Sequence, residues 1–213
     1  MRSFFSLIRT NLIFILPHLV ALLIASYYLI SFGKEDIHMR MNAHYCAFGD
    51  AVMPWITELG DGLVVTVLVL VLFALNRNFA LFTGISCLIA SGITQLLKHT
   101  LYYGVPRPAY VFPAKLHLVN GVVNYLYDTF PSGHSTLAFA FYFSLAIGTD
   151  KQWLKLFFFL LAMFVAYSRI YLSQHFLEDT FAGSIIGACT ALIIFALAKS
   201  YNKVKLPSLT FTK

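Results

Sequence analysis

Two short segments of the chain place a histidine beside serine, arginine and acidic residues. The first is PSGH, from Pro131 to His134, and the second is SRIYLSQHFLED, from Ser168 to Asp179. A histidine ring can act as a nucleophile or move a proton through one nitrogen while a hydrogen bond holds its other nitrogen. Since only 11% of the chain is charged, this concentration of polar groups predicts a reactive site.

The spacing within the second segment predicts a paired histidine and carboxylate. Asp179 follows His175 by four residues, and residues four apart share one face of a helix. Asp179 can then accept a hydrogen bond from one ring nitrogen of His175 and leave the other nitrogen free to react. Glu178 lies three residues after His175 and satisfies the same rule, so spacing alone leaves two candidate acids.

Three basic residues stand in or near these segments. Lys98 and Arg107 belong to KHTLYYGVPRP, and Arg169 belongs to the second segment. Cations at the end of an apolar helix are costly in lipid, so they should face the protein interior or a wet cavity. A guanidinium matches the oxygens of phosphate, and three converging cations favour a multiply charged anion. The three residues therefore predict a phosphate-binding site.

The PSGH segment adds groups suited to the same anion. Ser132 and Gly133 precede a stretch predicted to be helical, where small residues let backbone N–H groups and the helix dipole approach an anion. His134 is then placed to protonate a leaving oxygen. Neither segment has the spacing of a metal site. We therefore expect no metal and no cofactor, with the cations stabilising the charge that develops during reaction.

The composition predicts the kind of protein that must position these residues. Of the 213 residues, 59% are hydrophobic, and the mean hydropathy is +0.77. A chain with so little polar surface should be an all-α, polytopic membrane protein. The net charge of +6 is scattered between apolar segments, so we expect a lipid bilayer and no nucleic acid as partner.

Six apolar stretches predict a bundle of six transmembrane helices. They are Leu12–Phe32, Leu63–Leu75, Phe79–Leu97, Ser135–Ile147, Trp153–Tyr167 and Thr180–Ala198. The second and fourth reach full length only if they extend through residues 57–62 and to Asp150. The first is longer than a signal-peptide core, which favours an uncleaved span. We expect a single domain over residues 1–213, with a motif region at 98–179 and a basic cytoplasmic tail at 199–213.

The distribution of basic residues predicts the orientation of the chain. Six spans would put both termini on one side, together with Arg2, Arg9, Arg77, Lys151, Lys155, Lys199, Lys203, Lys205 and Lys213. The opposite side would hold Lys34, Arg40, Lys98, Arg107, Lys115 and Arg169. The positive-inside rule then makes the termini cytoplasmic and brings all three polar segments to the outer membrane interface.

Several other polar residues have simpler interpretations. We expect His18 to hydrogen-bond within the bundle, and Asp61 to cap the second span. His38 and His44 fall in an outer loop, residues 33–62, that should lie along the interface as one short amphipathic helix, with both histidines solvated. Cys46, Cys87 and Cys189 are expected to be free thiols, and Asp128 to be a turn residue.

These motifs together resemble the type 2 phosphatidic acid phosphatase superfamily, the membrane lipid phosphatases related to vanadium haloperoxidases. Ser168, Arg169, His175 and Asp179 fit its pattern Ser-Arg-x5-His-x3-Asp, and PSGH fits its second motif. Lys98 with Arg107-Pro108 resembles its first motif, but eight residues separate Lys98 from Arg107 where the family usually has six. A bulge or an added turn around Gly104 would accommodate the two extra residues.

The resemblance implies a role for each residue. His175 would attack phosphorus and form a phosphohistidine, and Asp179 would orient it. His134 would protonate the leaving group and then activate water. The phosphate oxygens would be held by Lys98, Arg107, Arg169, Ser132 and Gly133.

The resemblance also implies a metal-independent lipid phosphatase of the bacterial inner membrane that acts on the outer leaflet. The candidate substrates are undecaprenyl pyrophosphate, phosphatidylglycerol phosphate, phosphatidic acid and the phosphates of lipid A, and the sequence does not choose among them. Two alternatives remain open: a lipid phosphotransferase that uses the same phosphohistidine, and a carrier that binds lipid head groups without catalysis. No obligate protein partner is evident from the sequence.

Overall fold

A computed structural model of the protein describes residues 2–200, and this part of the chain is helical without any β-strand. Its helices are α1 (Arg2–Thr10), α2 (Leu12–Ser31), α3 (Lys34–Asn42), α4 (Ala47–Glu58), α5 (Gly62–Leu75), α6 (Arg77–Thr100), α7 (Pro108–Val111), α8 (Gly133–Ile147), α9 (Gln152–Tyr171) and α10 (Leu177–Ser200). The predicted all-α membrane protein is confirmed. Most of the predicted basic tail, residues 201–213, lies outside the described residues.

Six of the helices, α2, α5, α6, α8, α9 and α10, each overlap one predicted span. Four of them, α2, α6, α9 and α10, are long and apolar enough to cross a membrane on their own. Helix α5 reaches span length only together with α4, from which it is bent by 55°. Helix α8 has only 15 residues. The count of six spans therefore stays a prediction, while the membrane character of the bundle is clear.

Helix α8 lies at the centre of the bundle, against α5, α6, α9 and α10. It also packs against α2, where Phe143 of α8 stacks on Phe14 of α2 with ring centroids 4.5 Å apart. The helix ends at Ile147 and does not extend to Asp150. Gly148 follows it at a point where a Cβ atom would lie 2.4 Å from the ring of Phe79. The close approach of α6 therefore requires glycine where α8 stops.

Two glycines on α10 allow it to cross α8 at very short range. A Cβ atom on Gly183 would lie 2.6 Å from the carbonyl oxygen of Ser132, and one on Gly187 would lie 2.3 Å from that of Thr136. Small residues four apart are a common means of close helix packing in membranes. The crossing brings the start of α10 to the start of α8, where Ser132 N–H donates to the Asp179 carbonyl over 3.0 Å.

The outer loop forms two helices, α3 and α4, instead of the single interfacial helix that was expected. The expectation that His38 is solvated is wrong, because its side chain is only 1% exposed. Helix α3 packs on the first turn of α10, where the His38 ring stacks parallel to Phe112 and meets Phe176 edge-on. His44 is exposed, as predicted.

Other local predictions agree with the structure. Asp61 caps α5 by accepting from Leu63 N–H over 2.8 Å, and His18 hydrogen-bonds Ser184 over 3.1 Å. All three cysteines are free. Asp128 was expected in a turn; it has a left-handed backbone with φ of 58° in a segment without assigned secondary structure.

Candidate active site

The predicted histidine–carboxylate pair lies between the end of α9 and the first turn of α10. His175 Nδ1 is 3.3 Å from Asp179 Oδ2, and the two residues are 2% and 0% exposed. A Nδ1–H that donates to this carboxylate leaves Nε2 with its lone pair free. The fold thus presents one defined nitrogen of His175 for reaction.

Sequence reasoning missed Thr129, which completes this pair. Its hydroxyl donates a hydrogen bond to Asp179 Oδ2 and lies 3.3 Å from His175 Nδ1. The same carboxylate oxygen accepts from Phe176 N–H over 2.8 Å. Thr129 is fully buried. The sequence showed only a hydroxyl residue two positions before Pro131, the first residue of PSGH.

Arg169 is buried near His175 and Asp179, and part of its guanidinium has no hydrogen-bond partner among the described residues. Its Nη1 donates to Thr57 Oγ1 over 2.7 Å, and its Nη2 lies 3.4 Å from Gln174 Oε1. Its Nε has no hydrogen-bond partner among the described residues. A buried donor without a partner is costly. A phosphate oxygen would satisfy it, which agrees with the predicted role of Arg169.

Arg107 forms more hydrogen bonds to the protein backbone than expected for a residue that only binds substrate. Its guanidinium donates to the carbonyl oxygens of Tyr127, Asp128 and Gln174 over 2.7, 3.2 and 3.0 Å. The ring of Tyr125 lies 5.5 Å below it. Arg107 therefore anchors the loop between α7 and α8 as well as supplying positive charge to the site.

Gln174, immediately before His175, was also missed. Its Oε1 lies 3.4 Å from both Arg107 Nη1 and Arg169 Nη2. Its Nε2 donates to the Val123 carbonyl over 2.7 Å. One buried amide thus fixes the separation of the two guanidinium groups.

Lys98 reaches the same site despite the two extra residues before Arg107. It is 9% exposed, and its ammonium group forms no hydrogen bond or ion pair with any residue in 2–200. The chain between Lys98 and Arg107 turns at Gly104, which has φ of +73° and donates its N–H to Asp128 Oδ1 over 2.9 Å. Only glycine adopts such a backbone at low cost. The predicted turn around Gly104 is thus present.

Ser132 and Gly133 occupy the start of α8 in different ways. Ser132 is fully buried as the N-cap, accepting at its hydroxyl from Ser135. Its own backbone N–H donates a hydrogen bond to the Asp179 carbonyl. Gly133 N–H is among the first N–H groups of the helix, which have no partner within it. An added Cβ on Gly133 would meet no atom within 4 Å. The start of α8 therefore has open space beside Gly133.

His134, the next residue, stands at the more accessible side of the site. Its Nε2 lies 3.9 Å from Asp61 Oδ2, and the two side chains are 28% and 36% exposed. Sequence reasoning assigned Asp61 only to the capping of α5. The structure shows that its second oxygen also faces His134.

The charges of Arg107, Arg169 and Lys98 all act on His175. Burial lowers the pKa of His175 well below its usual value, and these three cations lower that pKa further. Burial and the three cations therefore both favour the neutral imidazole of His175. All three cations therefore act electrostatically on the same histidine.

Glu178, the competing acid, points away from His175. Its carboxylate pairs with Lys34 of α3 over 2.8 Å, and both side chains are about one-third exposed (36% and 35%). The structure thus selects Asp179 as the partner of His175. In residues 2–200, no group of three or more histidine, cysteine or acidic side chains is arranged to hold a metal ion.

The family model of the PAP2 superfamily matches residues 79–203, which is more than half of the chain. Among curated protein sequences, none matches this chain.

Two solved structures resemble the fold. The crystal structure of LpxE from Aquifex aeolicus is similar with a TM-score of 0.67 and 26% identity, covering 75% of this chain and 93% of that one. The transmembrane PAP2-type phosphatidylglycerolphosphate phosphatase from Bacillus subtilis aligns with a TM-score of 0.58 over 96% of this chain and 98% of that one. At 20% identity, the second shows the fold alone. The chain therefore belongs to the PAP2 superfamily of membrane lipid phosphatases.

Proposed function

We propose that this protein hydrolyses the terminal phosphate of a membrane lipid through a phosphohistidine on His175, without a metal ion. The observation that carries the proposal is the state of His175. Its Nδ1 faces Asp179 over 3.3 Å, and burial together with three cations lowers its pKa. A neutral imidazole with one free nitrogen, set among cations, is suited to attack a phosphate group.

In the first step, Nε2 of His175 forms a bond to phosphorus and the bond from phosphorus to the leaving oxygen breaks. The leaving oxygen takes a proton from His134. As His175 becomes positively charged, the Asp179 carboxylate stabilises it and keeps the ring in place. Lys98, Arg107 and Arg169 stabilise the charge on the phosphate oxygens, as metal ions do in other phosphatases.

In the second step, water attacks the phosphohistidine. His134, now neutral, takes a proton from that water, and the bond from phosphorus to Nε2 breaks. Inorganic phosphate leaves and His175 returns to its starting state. The partial exposure of His134, with a side chain 28% accessible, suits a residue that must meet both leaving group and water.

The substrate class we propose is a lipid that ends in a phosphate monoester or pyrophosphate. The site lies at one end of an apolar bundle, so the phosphate can reach it while the lipid chains remain in the bilayer. The basic residues favour an orientation with cytoplasmic termini and the site at the outer face of the bacterial inner membrane. Undecaprenyl pyrophosphate, phosphatidylglycerol phosphate, phosphatidic acid and lipid A remain the candidates.

A phosphate-release panel tests this function. Purified protein in detergent is given each candidate lipid in excess EDTA, and inorganic phosphate is measured. We expect release from at least one lipid, unchanged by EDTA, and none from the His175→Ala variant. Release that stops with EDTA would contradict the metal-independent mechanism. Release at the wild-type rate by His175→Ala would contradict the role of His175.

A further inference from the structure

An apolar groove lies on the bundle at a place separate from the active site. It has a volume of about 540 Å³ and runs between α2, α3 and α10, with α8 and α9 at its back. Its α2 wall is made concave by Ala21 and Ala25, one turn apart, and Phe181 lies on the α10 side. Its volume falls in the range of sites that hold small ligands.

The groove and the active site lie on different faces of α10. Leu177, Phe181 and Ser184 line the groove, whereas Asp179 and Gly183 face the start of α8. None of the predicted site residues lines the groove. A molecule bound in it would therefore not occupy the phosphate-binding site.

The length of the groove matches one leaflet of a bilayer. Its inner end is closed by the hydrogen bond between His18 and Ser184, and Tyr28 lines it ten residues further along α2. At 1.5 Å per residue, this distance is about 15 Å, which is half of a hydrocarbon core of about 30 Å. The occupant that fits is a single hydrocarbon chain from one leaflet.

A cation stands at the outer end of the groove. Arg40 lines it there and lies over the ring of Phe32 at 5.6 Å. Arg40 is exposed and forms no ion pair with any acid in residues 2–200. His44 lies beside it and hydrogen-bonds the Arg40 carbonyl over 2.7 Å. An arginine at the height of lipid head groups is suited to a phosphate diester.

We infer that this groove is a second lipid site, which holds an acyl chain of an anionic glycerophospholipid with its phosphate on Arg40. The lipid is not the substrate, because none of the predicted phosphate-binding residues lines the groove. Helix α3 also carries Lys34, which pairs with Glu178 beside the active site. The bound lipid therefore stabilises the helix that borders the catalytic residues.

Thermal unfolding of the purified full chain in detergent tests the site. Dioleoylphosphatidylglycerol, a phosphodiester without a terminal phosphate, is compared with dioleoylphosphatidylcholine. A ligand at about 100 times its Kd should raise the Tm by roughly 5–10 °C for a chain of this size. We expect that rise with phosphatidylglycerol, a smaller rise with phosphatidylcholine, and the same pattern in His175→Ala, so failure of the catalytic proposal would not affect this result.

Two substitutions and two matched controls locate the effect. Arg40→Gln should reduce the phosphatidylglycerol shift to that of phosphatidylcholine, and Ala25→Trp should abolish both shifts by filling the groove. Arg77→Gln removes another arginine that lies over a phenylalanine, Phe73 at 5.9 Å. Leu23→Trp adds the same ring on an exposed face of α2. Both controls should behave as wild type.

Labelling keeps the inference testable if Ala25→Trp does not fold. Phosphatidylglycerol with a photoreactive diazirine on its acyl chain should label the peptides that contain Ala25 and Phe181. Labelling spread evenly over the lipid-facing helices would overturn the inference, as would equal shifts from both lipids in Arg40→Gln and wild type. A Tm that rises with protein concentration, and not with lipid, would show that a second copy of the chain covers the groove.

Discussion

The active site contains two histidine–aspartate pairs that differ in rigidity. His175 and Asp179 are almost fully buried, 3.3 Å apart, and the shared carboxylate oxygen accepts two further hydrogen bonds. His134 and Asp61 are about one-third exposed, 3.9 Å apart, and Asp61 also caps a helix. The His175–Asp179 pair is thus held rigidly, whereas the His134–Asp61 pair is only loosely associated.

The difference corresponds to the two tasks proposed for the histidines. A nucleophile must present one nitrogen in a fixed direction, so its partner is immobilised. A residue that gives a proton to a leaving group and later takes one from water must be reachable by both. The comparison predicts that changes to the buried pair reduce the rate far more than equivalent changes to the exposed pair.

The largest effect is expected from Asp179→Asn. An amide at this position can donate to Nδ1 and so favour the tautomer with hydrogen on Nε2, which cannot attack. By analogy with triad aspartates, kcat should fall on the order of 10⁴-fold. Glu178→Gln is the matched control, since Glu178 faces Lys34, and it should stay within about twofold, as is usual for surface pairs. Equal losses in both variants would contradict the assignment of Asp179.

Thr129→Val should have the next largest effect. It keeps the shape of the side chain but removes the hydroxyl that donates to Asp179. An unsatisfied buried partner costs about 1–3 kcal/mol, so we expect kcat to fall roughly 10- to 100-fold. Because Thr129 is a positioning residue, KM should be unchanged and Thr129→Ser should restore most of the rate. A rise in KM with constant kcat would instead place Thr129 in substrate binding.

Asp61→Asn should reduce the rate only about two- to fivefold, because partly exposed charge pairs contribute about 0.2–1 kcal/mol. Asparagine remains a good N-cap, so the Tm should not change. Asp61→Ala should reduce the rate equally but also lower the Tm by about 2–4 °C through loss of the cap. A loss as large as that of Asp179→Asn would remove the distinction between the two pairs.

A third histidine, His38, is buried without an acid in contact, and its effect should be on stability rather than turnover. Burial lowers its pKa to about 4, although the charge of Asp179 opposes this shift. Between pH about 6.5 and 4 the unfolded chain binds a proton at His38 that the folded chain does not, so stability falls as the pH falls. His38→Gln should flatten the decline of Tm with pH in this range, and an unchanged slope would contradict the burial argument.

Much of this site could be predicted because its residues lie in short, regular segments. The i, i+4 spacing of His175 and Asp179 holds on a helix regardless of the rest of the fold. The cations at the ends of apolar stretches could be expected to face inward because exposure to lipid is costly. The helix positions followed from hydrophobicity in the same way.

What could not be predicted depends on contacts between distant parts of the chain. Thr129 and Gln174 have ordinary side chains whose roles appear only when the loop after α7 folds over the start of α10. His38 was expected to be solvated because it falls in an outer loop, but tertiary packing places it against the rings of Phe112 and Phe176. Spacing alone left Glu178 as a second candidate acid, and its pairing with Lys34, 144 residues away in the sequence, appears only in the folded chain.

The most direct test of the proposed division of labour is the phosphoenzyme of His134→Gln. Its reaction with p-nitrophenyl phosphate, whose leaving group needs no proton, is quenched in alkali and the phosphorylated peptide is mapped by mass spectrometry. We predict one burst of p-nitrophenol per protein molecule and phosphate on His175, because the first step proceeds while hydrolysis is slowed about 10²- to 10⁴-fold. Steady turnover without any phosphate on His175 would contradict the mechanism.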